Sequence, residues 1–314
     1  MKKILIIHTF GLGDFILFTP FIKVIRKRFP SYQIDIFSFE RHAIEPVRYC
    51  NDIKNFYIAD SSYLKSLKIA FHLRNRKYQY SLVTTGPSPL KLSLFSKIIN
   101  ADTIIGEYTK LKIPFYKYQS KRNVHKHFLH NNLKIVKLLI KNSKLINNLK
   151  TTFFLKEKIK KLKNNLIGFT VGGGTKSSPR RWNVSNYKFL IIRLSKLENI
   201  KIKIFLSIKD KHLLKYFRKI ESHNIKIVFT SSIQDTAREI SECKYLIGND
   251  NGFMHIASTF GIMLFLIIPK TYNKYNIFNF PYTKDIKIIK ISSFNVIKNN
   301  EVDTVFKTIV NYLK

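Results

Sequence analysis

Two cysteines, Cys50 and Cys243, are all the chain contains. They are far apart and form no metal or redox motif, so no disulfide framework is expected and a reducing cytoplasm fits. Long apolar runs are also missing. Those such as Ile262–Ile268 fall well short of the ~20 residues a membrane-spanning helix needs. The apolar opening Lys3–Ile7 is followed by Asp14 and by no small-residue cleavage site, so it reads as a first β-strand rather than a leader. Acidic residues are scarce: 19 Asp+Glu stand against 56 Lys+Arg, a net charge of +37. Such an excess favours anionic partners, whether nucleic acid, acidic lipid or a phosphorylated substrate. The excess is mostly lysine and accompanies abundant Ile and Asn, the trio that AT-rich codons supply, and it is spread along the chain. Charge alone therefore does not choose the partner.

What the chain does have is core material. Hydrophobic residues make up 45% and aromatics 14% of 314 residues, enough for two domains of roughly 150 residues each. Strand-like runs at Lys3–His8, Gln33–Ser38, Tyr80–Thr84, Thr103–Gly106, Leu166–Val171, Lys201–Leu206, Lys226–Phe229, Tyr245–Gly248 and Met263–Ile267 alternate with helical patterns, among them Phe15–Arg28, Lys211–Ser222 and Gly252–Phe260. This alternation predicts α/β domains with parallel sheets covered on both faces. It pauses between about Ser120 and Lys163, around a helical pattern at Asn123–Lys141. The boundary is placed there, giving domains 1–158 and 159–314.

Three loops could carry chemistry. His8-Thr9-Phe10-Gly11-Leu12-Gly13-Asp14 joins the first strand to the first helix. Gly11 and Gly13 would let the backbone take positive φ and approach a ligand, and Asp14 would open the helix, a position where Asp is also favoured simply as a cap. The third glycine of a dinucleotide fingerprint is absent. Gly172-Gly173-Gly174-Thr175-Lys176-Ser177-Ser178-Pro179-Arg180-Arg181-Trp182 offers backbone N–H groups and cations to a phosphate but lacks a P-loop ending. Gly248-Asn249-Asp250-Asn251-Gly252-Phe253-Met254-His255 leads from a strand into a helix whose N-terminal N–H groups suit a diphosphate. His255, about one turn in, either points the same way or packs. His125, His127 and His130 share no helix face and read as solvated, and no cluster has metal-ligand spacing.

In this order and at this separation the three loops resemble those of glycosyltransferase family 9, the bacterial heptosyltransferases, and the resemblance runs over essentially the whole chain. Lys3–Ile7 leading to Gly11-Leu12-Gly13-Asp14, Thr19-Pro20 and Arg26–Pro30 is similar to the family's opening. Arg181-Trp182 is similar to its basic-residue-plus-Trp segment, and Asn249-Asp250, Gly252 and Met254-His255 to its Asn-Asp-Ser-Gly-Pro-Met-His signature. Departures are Asn251-Gly252-Phe253 in place of Ser-Gly-Pro, and Ile268-Pro269-Lys270-Thr271 in place of a Gly-Pro-Thr turn.

The resemblance implies the GT-B architecture, two Rossmann-like doubly wound domains facing a central cleft, with an acceptor-binding N-terminal and a nucleotide-sugar-binding C-terminal domain. It also implies inverting, metal-independent transfer from a nucleotide-diphosphate sugar, usually ADP-heptose, to the inner core of lipopolysaccharide, with no other cofactor. Carried over, Asp14 is the general base, in a loop with Thr9, Gly11 and Gly13 on the acceptor side. Thr175, Lys176 and Arg181 hold the diphosphate. Asp250, Asn251, Gly252 and His255 line the donor site, and Asp210 is a ribose or sugar contact. The acceptor is an anionic glycolipid, which places the protein peripherally at the cytoplasmic face of the inner membrane, with contact through Arg74, Arg76 and Lys77 or through Lys117–Lys126. The alternatives are another nucleotide sugar, a GT-B sugar-nucleotide epimerase using UDP, or a basic nucleic-acid-binding protein. The last is disfavoured because the aromatics sit mainly within apolar runs.

Overall fold

The computed structural model describes residues 1–86, 88–141, 149–157, 165–172, 181–271, 279–292 and 299–313. The chain divides into two compact units, Met1–Phe154 and Leu155–Lys314. The boundary expected at 158/159 lies outside the described residues.

The first unit contains strands β1 (Lys3–His8), β2 (Gln33–Ser38), β3 (Asn55–Ile58), β4 (Tyr80–Val83), β5 (Thr103–Tyr108) and β6 (Tyr118–Lys121). They form one parallel sheet in the order β3-β2-β1-β4-β5-β6. Its helices are α1 (Leu12–Ile16), α2 (Thr19–Arg28), α3 (Tyr63–Arg74), α4 (Pro89–Ile99) and α5 (Phe128–Ile140). Side chains alternate across a strand. Ile4 and Ile6 of β1 therefore pack with Phe15, Phe18 and Ile22 and with Ile135 of α5. Leu5 and Ile7 face Leu73 of α3 and Phe95 of α4. Both faces are covered, which is why these strands read as continuous apolar runs.

The second unit repeats the plan with β7 (Leu166–Thr170), β8 (Lys201–Leu206), β9 (Ile225–Phe229), β10 (Tyr245–Gly248), β11 (Met263–Pro269) and β12 (Ile286–Ile291). The order is β12-β11-β10-β7-β8-β9, again all parallel. Helices α6 (Val184–Ser195), α7 (Leu214–Phe217), α8 (Ile233–Ser241), α9 (Gly252–Thr259) and α10 (Asn299–Leu313) cover it. Leu190, Ile191 and Leu194 of α6 share a core with Val305 and Ile309 of α10.

The structure departs from the sequence reading in several places. The helix expected over Phe15–Arg28 is two helices, because Pro20 has no N–H to give the Ile16 carbonyl. The Thr19 hydroxyl takes that carbonyl instead, at 2.7 Å, and accepts from the Thr152 amide at 2.9 Å. One side chain thus both repairs the break and ties the end of the unit back to its start. The helix expected over Lys211–Ser222 is a short 3₁₀–α–3₁₀ series beginning at Ile208. Strands β3, β6 and β12 and helix α10 have no counterpart in the sequence reading. The three strands are edge or near-edge strands with weak or mixed polarity, and β3 has no fully buried position.

Candidate functional site

In each sheet the strand order reverses once, between β1 and β4 in the first unit and between β7 and β10 in the second. Connections leave to opposite faces at such a point, and the opening at the carboxyl ends of the strands is where doubly wound folds bind ligands. The Gly11–Asp14 and Gly248–His255 loops lie at these two places, as do Gly172 and Arg181-Trp182, the described ends of the glycine loop.

In the first unit, His8 ends β1 and is 1% exposed. Its Nε2 donates to the Gly11 carbonyl at 3.3 Å and its Nδ1 accepts from the Thr84 hydroxyl at 3.1 Å, so the neutral Nε2–H tautomer fits both partners. Burial pushes its pKa down to about 4, against the opposing effect of the backbone bonds to Gly11 and Phe10. The neutral ring therefore clasps the loop to β4 across the reversal. Gly11 caps α1 with an extended backbone, φ −77° and ψ −175°, and Gly13 lies inside the helix. The positive φ expected at these glycines is not adopted, because the loop passes directly into the helix; among the described residues Gly261 is the one glycine with positive φ. The space beside Gly11 is open, with no atom within 4 Å of where a Cβ would stand. Asp14 does not begin the helix but occupies its third position, half-buried. Thr9 is half-buried, its hydroxyl 2.8 Å from the point where a Cβ on Gly86 would fall.

A buried group that the sequence reading missed frames the β4 side. Glu107 of β5 accepts from the Gly86 amide at 3.0 Å and from the Arg122 Nε at 2.9 Å, and Arg122 also donates to the Gly86 carbonyl. Asn132 of α5 accepts the Thr85 amide at 2.9 Å. A lone glutamate closing the apolar run Ile104-Ile105-Gly106 was the available signal. His127, expected to be solvated, instead caps α5, accepting the Leu129 amide at 3.2 Å.

In the second unit, Thr175 and Lys176 lie outside the described residues. Arg181 is described and largely buried, and its guanidinium donates to Asp210 Oδ1 at 3.2 Å. Asp210 is itself buried and accepts the Ser207 hydroxyl at 2.5 Å. A carboxylate so engaged holds Arg181 in place. Asn251 spans the reversal: its Nδ2 donates to Thr170 Oγ1 at 2.8 Å and to the Gly172 carbonyl at 3.2 Å. Its Oδ1 accepts the amides of Phe253 and Met254 at the start of α9. The cap therefore takes two of the N–H groups expected to face a diphosphate, though not that of Gly252. Asp250 and His255 are neighbours, Oδ1 to Nε2 4.0 Å, and both side chains are mostly buried. Asn249, which the sequence reading quoted but gave no role, accepts from the Trp182 amide at 2.9 Å and the Tyr187 hydroxyl at 2.8 Å and donates to the Ile267 carbonyl. It locks the Arg181-Trp182 end of the glycine loop to β11.

Among the described residues no group of three or more His, Cys, Asp or Glu side chains is placed to hold a metal ion. Both cysteines are buried. Burial raises the Cys50 thiol and pushes that of Cys243 up to about 12, so neither is a ready nucleophile.

Two Rossmann-like parallel sheets, each with its loops gathered at a reversal of strand order, define the GT-B class of two-domain α/β proteins. The crystal structure of the glycosyl transferase family 9 from Veillonella parvula DSM 2008 matches with a TM-score of 0.77 at 18% identity, covering 99% of this chain and 97% of that one. The E. coli heptosyltransferase WaaC with ADP-2-deoxy-2-fluoro heptose matches with a TM-score of 0.77 at 14% identity, covering all of both chains. The UDP-GlcNAc 2-epimerase from Methanocaldococcus jannaschii matches less well, at 0.58 and 13%, covering 99% and 93%. No curated protein sequence matches in direct comparison. The model of Glycosyltransferase family 9 (heptosyltransferase) matches residues 67–289. The chain belongs to that family and is a glycosyltransferase. The match begins at Leu67, so the Gly11–Asp14 loop stands outside it.

Proposed function

We propose that the protein transfers heptose from ADP-heptose onto the core of a lipopolysaccharide or lipooligosaccharide, with inversion and without a metal, using the nucleotide sugar as its one co-substrate. In this reading Asp14 removes the proton from the acceptor hydroxyl as that oxygen attacks the anomeric carbon, and the diphosphate leaves. A carboxylate base held at hydrogen-bond distance contributes roughly 10²–10⁴-fold. Negative charge grows on the leaving diphosphate, and fixed cations and N–H donors aimed there lower the barrier.

The observation that carries the reading is the junction at Gly172. Its carbonyl accepts from Asn251, the cap of α9, and its Cα lies against the Asp210 carboxylate that holds Arg181. Arg181 and the start of α9 are thereby fixed to one backbone position. The Asp210 bond uses one of the five guanidinium donors, which leaves Arg181 the capacity to bind phosphate oxygens. Thr175 and Lys176 complete the diphosphate site in this reading, and Asp250, Gly252 and His255 line it. The adenine nucleotide is supported by the fold match to the WaaC complex with an ADP-heptose analogue.

The acceptor is an anionic glycolipid, so the protein works peripherally at the cytoplasmic face of the inner membrane. No helix among the described residues is long and apolar enough to cross a membrane. Titration calorimetry with ADP, UDP, GDP and CMP tests the donor: ADP should bind at least tenfold more tightly than the others, and a preference for UDP or GDP would reassign it. Transfer from ADP-heptose to truncated lipopolysaccharide should persist in EDTA. Loss restored by Mg²⁺ or Mn²⁺ would overturn the metal-free mechanism.

A further inference from the structure

In a parallel sheet every connection that follows a strand starts at the same edge. In the first unit, α3, α4, the segment after β5 and the segment after β6 therefore all begin at the edge that carries Asp14 and Gly86. Large apolar side chains stand exposed there. Tyr63 and Leu64 at the start of α3 are 76% and 75% exposed, Leu111 after β5 is 81% exposed, and Leu90 and Val124 are exposed by about half. Scattered singly such residues mean little, but gathered on one edge they mark an interaction surface. Exposed lysines are interleaved with them: Lys91, Lys110, Lys112, Lys121 and Lys126. Between Ser61 and Lys156 the chain has 19 Lys+Arg and two acids, Asp102 and Glu107. Glu40 and Asp60, just before this stretch, also stand at the edge, where Asp60 pairs with Arg41 and Lys65 and Glu40 accepts from the Ser61 hydroxyl. Glu107 is buried against Arg122, and Asp102 lies at the opposite edge, before β5.

We propose that this edge is a docking surface for an anionic lipid bilayer. The apolar tips enter the headgroup region and the lysines meet lipid phosphates. Apolar side chains alone would suit a protein partner equally, but interleaved lysines that outnumber the acids of this edge, with Asp60 already paired to Arg41 and Lys65, are complementary to an anionic membrane. This docking rests on the reading of a membrane glycolipid acceptor and gives it a geometry, because the docked edge is the one that bears the Gly11–Asp14 loop. Of the basic groups expected from the sequence, Arg74, Arg76 and Lys77 follow or end α3 at the far edge, where Arg76 lies 3.5 Å from the buried Asp35. They take no part, whereas Lys121 and Lys126 do.

Sedimentation with phosphatidylcholine vesicles, with and without phosphatidylglycerol, tests this, using three exposed double variants. Leu64→Glu/Leu111→Glu and Lys110→Glu/Lys112→Glu should each weaken binding to the anionic vesicles by about tenfold or more. Lys97→Glu/Lys117→Glu makes the same charge change beside Asn100 and Asp102 at the opposite edge, and should change binding by less than about twofold. Equal binding of wild type to both vesicles, equal loss in both lysine variants, or no loss in the leucine variant would overturn the proposal. Sedimentation needs no substrate, so it stands or falls separately from the reaction. All three variants should retain nucleotide affinity and transfer to a water-soluble acceptor.

Discussion

Asp210 lies so close to Gly172 that a Cβ on that glycine would fall 2.1 Å from Oδ2 and 2.5 Å from Oδ1. The carboxylate cannot swing aside, because Ser207 and Arg181 hold it. Gly172→Ala should therefore destabilise the second unit by about 1–3 kcal/mol, the usual cost of overpacking a fixed neighbour. It should also weaken ADP binding through displacement of Arg181. Urea unfolding and calorimetry read the two effects, and a variant as stable as wild type would mean the carboxylate is not fixed.

The Arg181–Asp210 pair should behave as one unit. Removing Asp210 leaves a mostly buried guanidinium uncompensated, at about 3–5 kcal/mol. Removing both partners should cost less than the sum of the single losses, with a coupling of roughly 0.5–3 kcal/mol in a double-mutant cycle of Asp210→Ala and Arg181→Ala. Strict additivity would show that Asp210 does not position Arg181.

His8 makes stability depend on pH. Its folded pKa, about 4, lies below the 6.5 of the unfolded chain, so between these values the unfolded state binds the extra proton. The contribution of the neutral ring is fully present above pH 6.5 and is lost as pH falls to 4, by ~3 kcal/mol in all. His8→Gln removes this titration. The stability difference between wild type and variant, followed by denaturant unfolding, should shift by about that amount in favour of the variant over this window. A difference constant with pH would show that His8 titrates normally.

Much of this arrangement was legible in the residues. Buried strands such as Ile4–Ile7 and Leu264–Ile268 announce themselves by continuous apolar runs, and the loops at the reversals by their glycines and asparagines. What the sequence hid depended on tertiary partners. The bond between Asp210 and Arg181 was hidden because the two lie 29 residues apart and nothing local links them. Gly11 looked like a positive-φ hinge because its extended cap conformation is set by the helix that follows it. Glu107 stood out as a lone acid closing an apolar run, but its role was hidden because its partners Gly86 and Arg122 lie 21 and 15 residues away.

The role of Asp14 as the base is the central claim, and Asp14→Asn tests it most directly. Asparagine keeps the size and polarity of the third helical position but cannot take a proton. Transfer from ADP-heptose, measured with ADP affinity on the same preparation, should fall by roughly 10²–10⁴-fold while ADP binding stays within about twofold. Turnover near that of wild type in the Asp14→Asn variant would contradict the account.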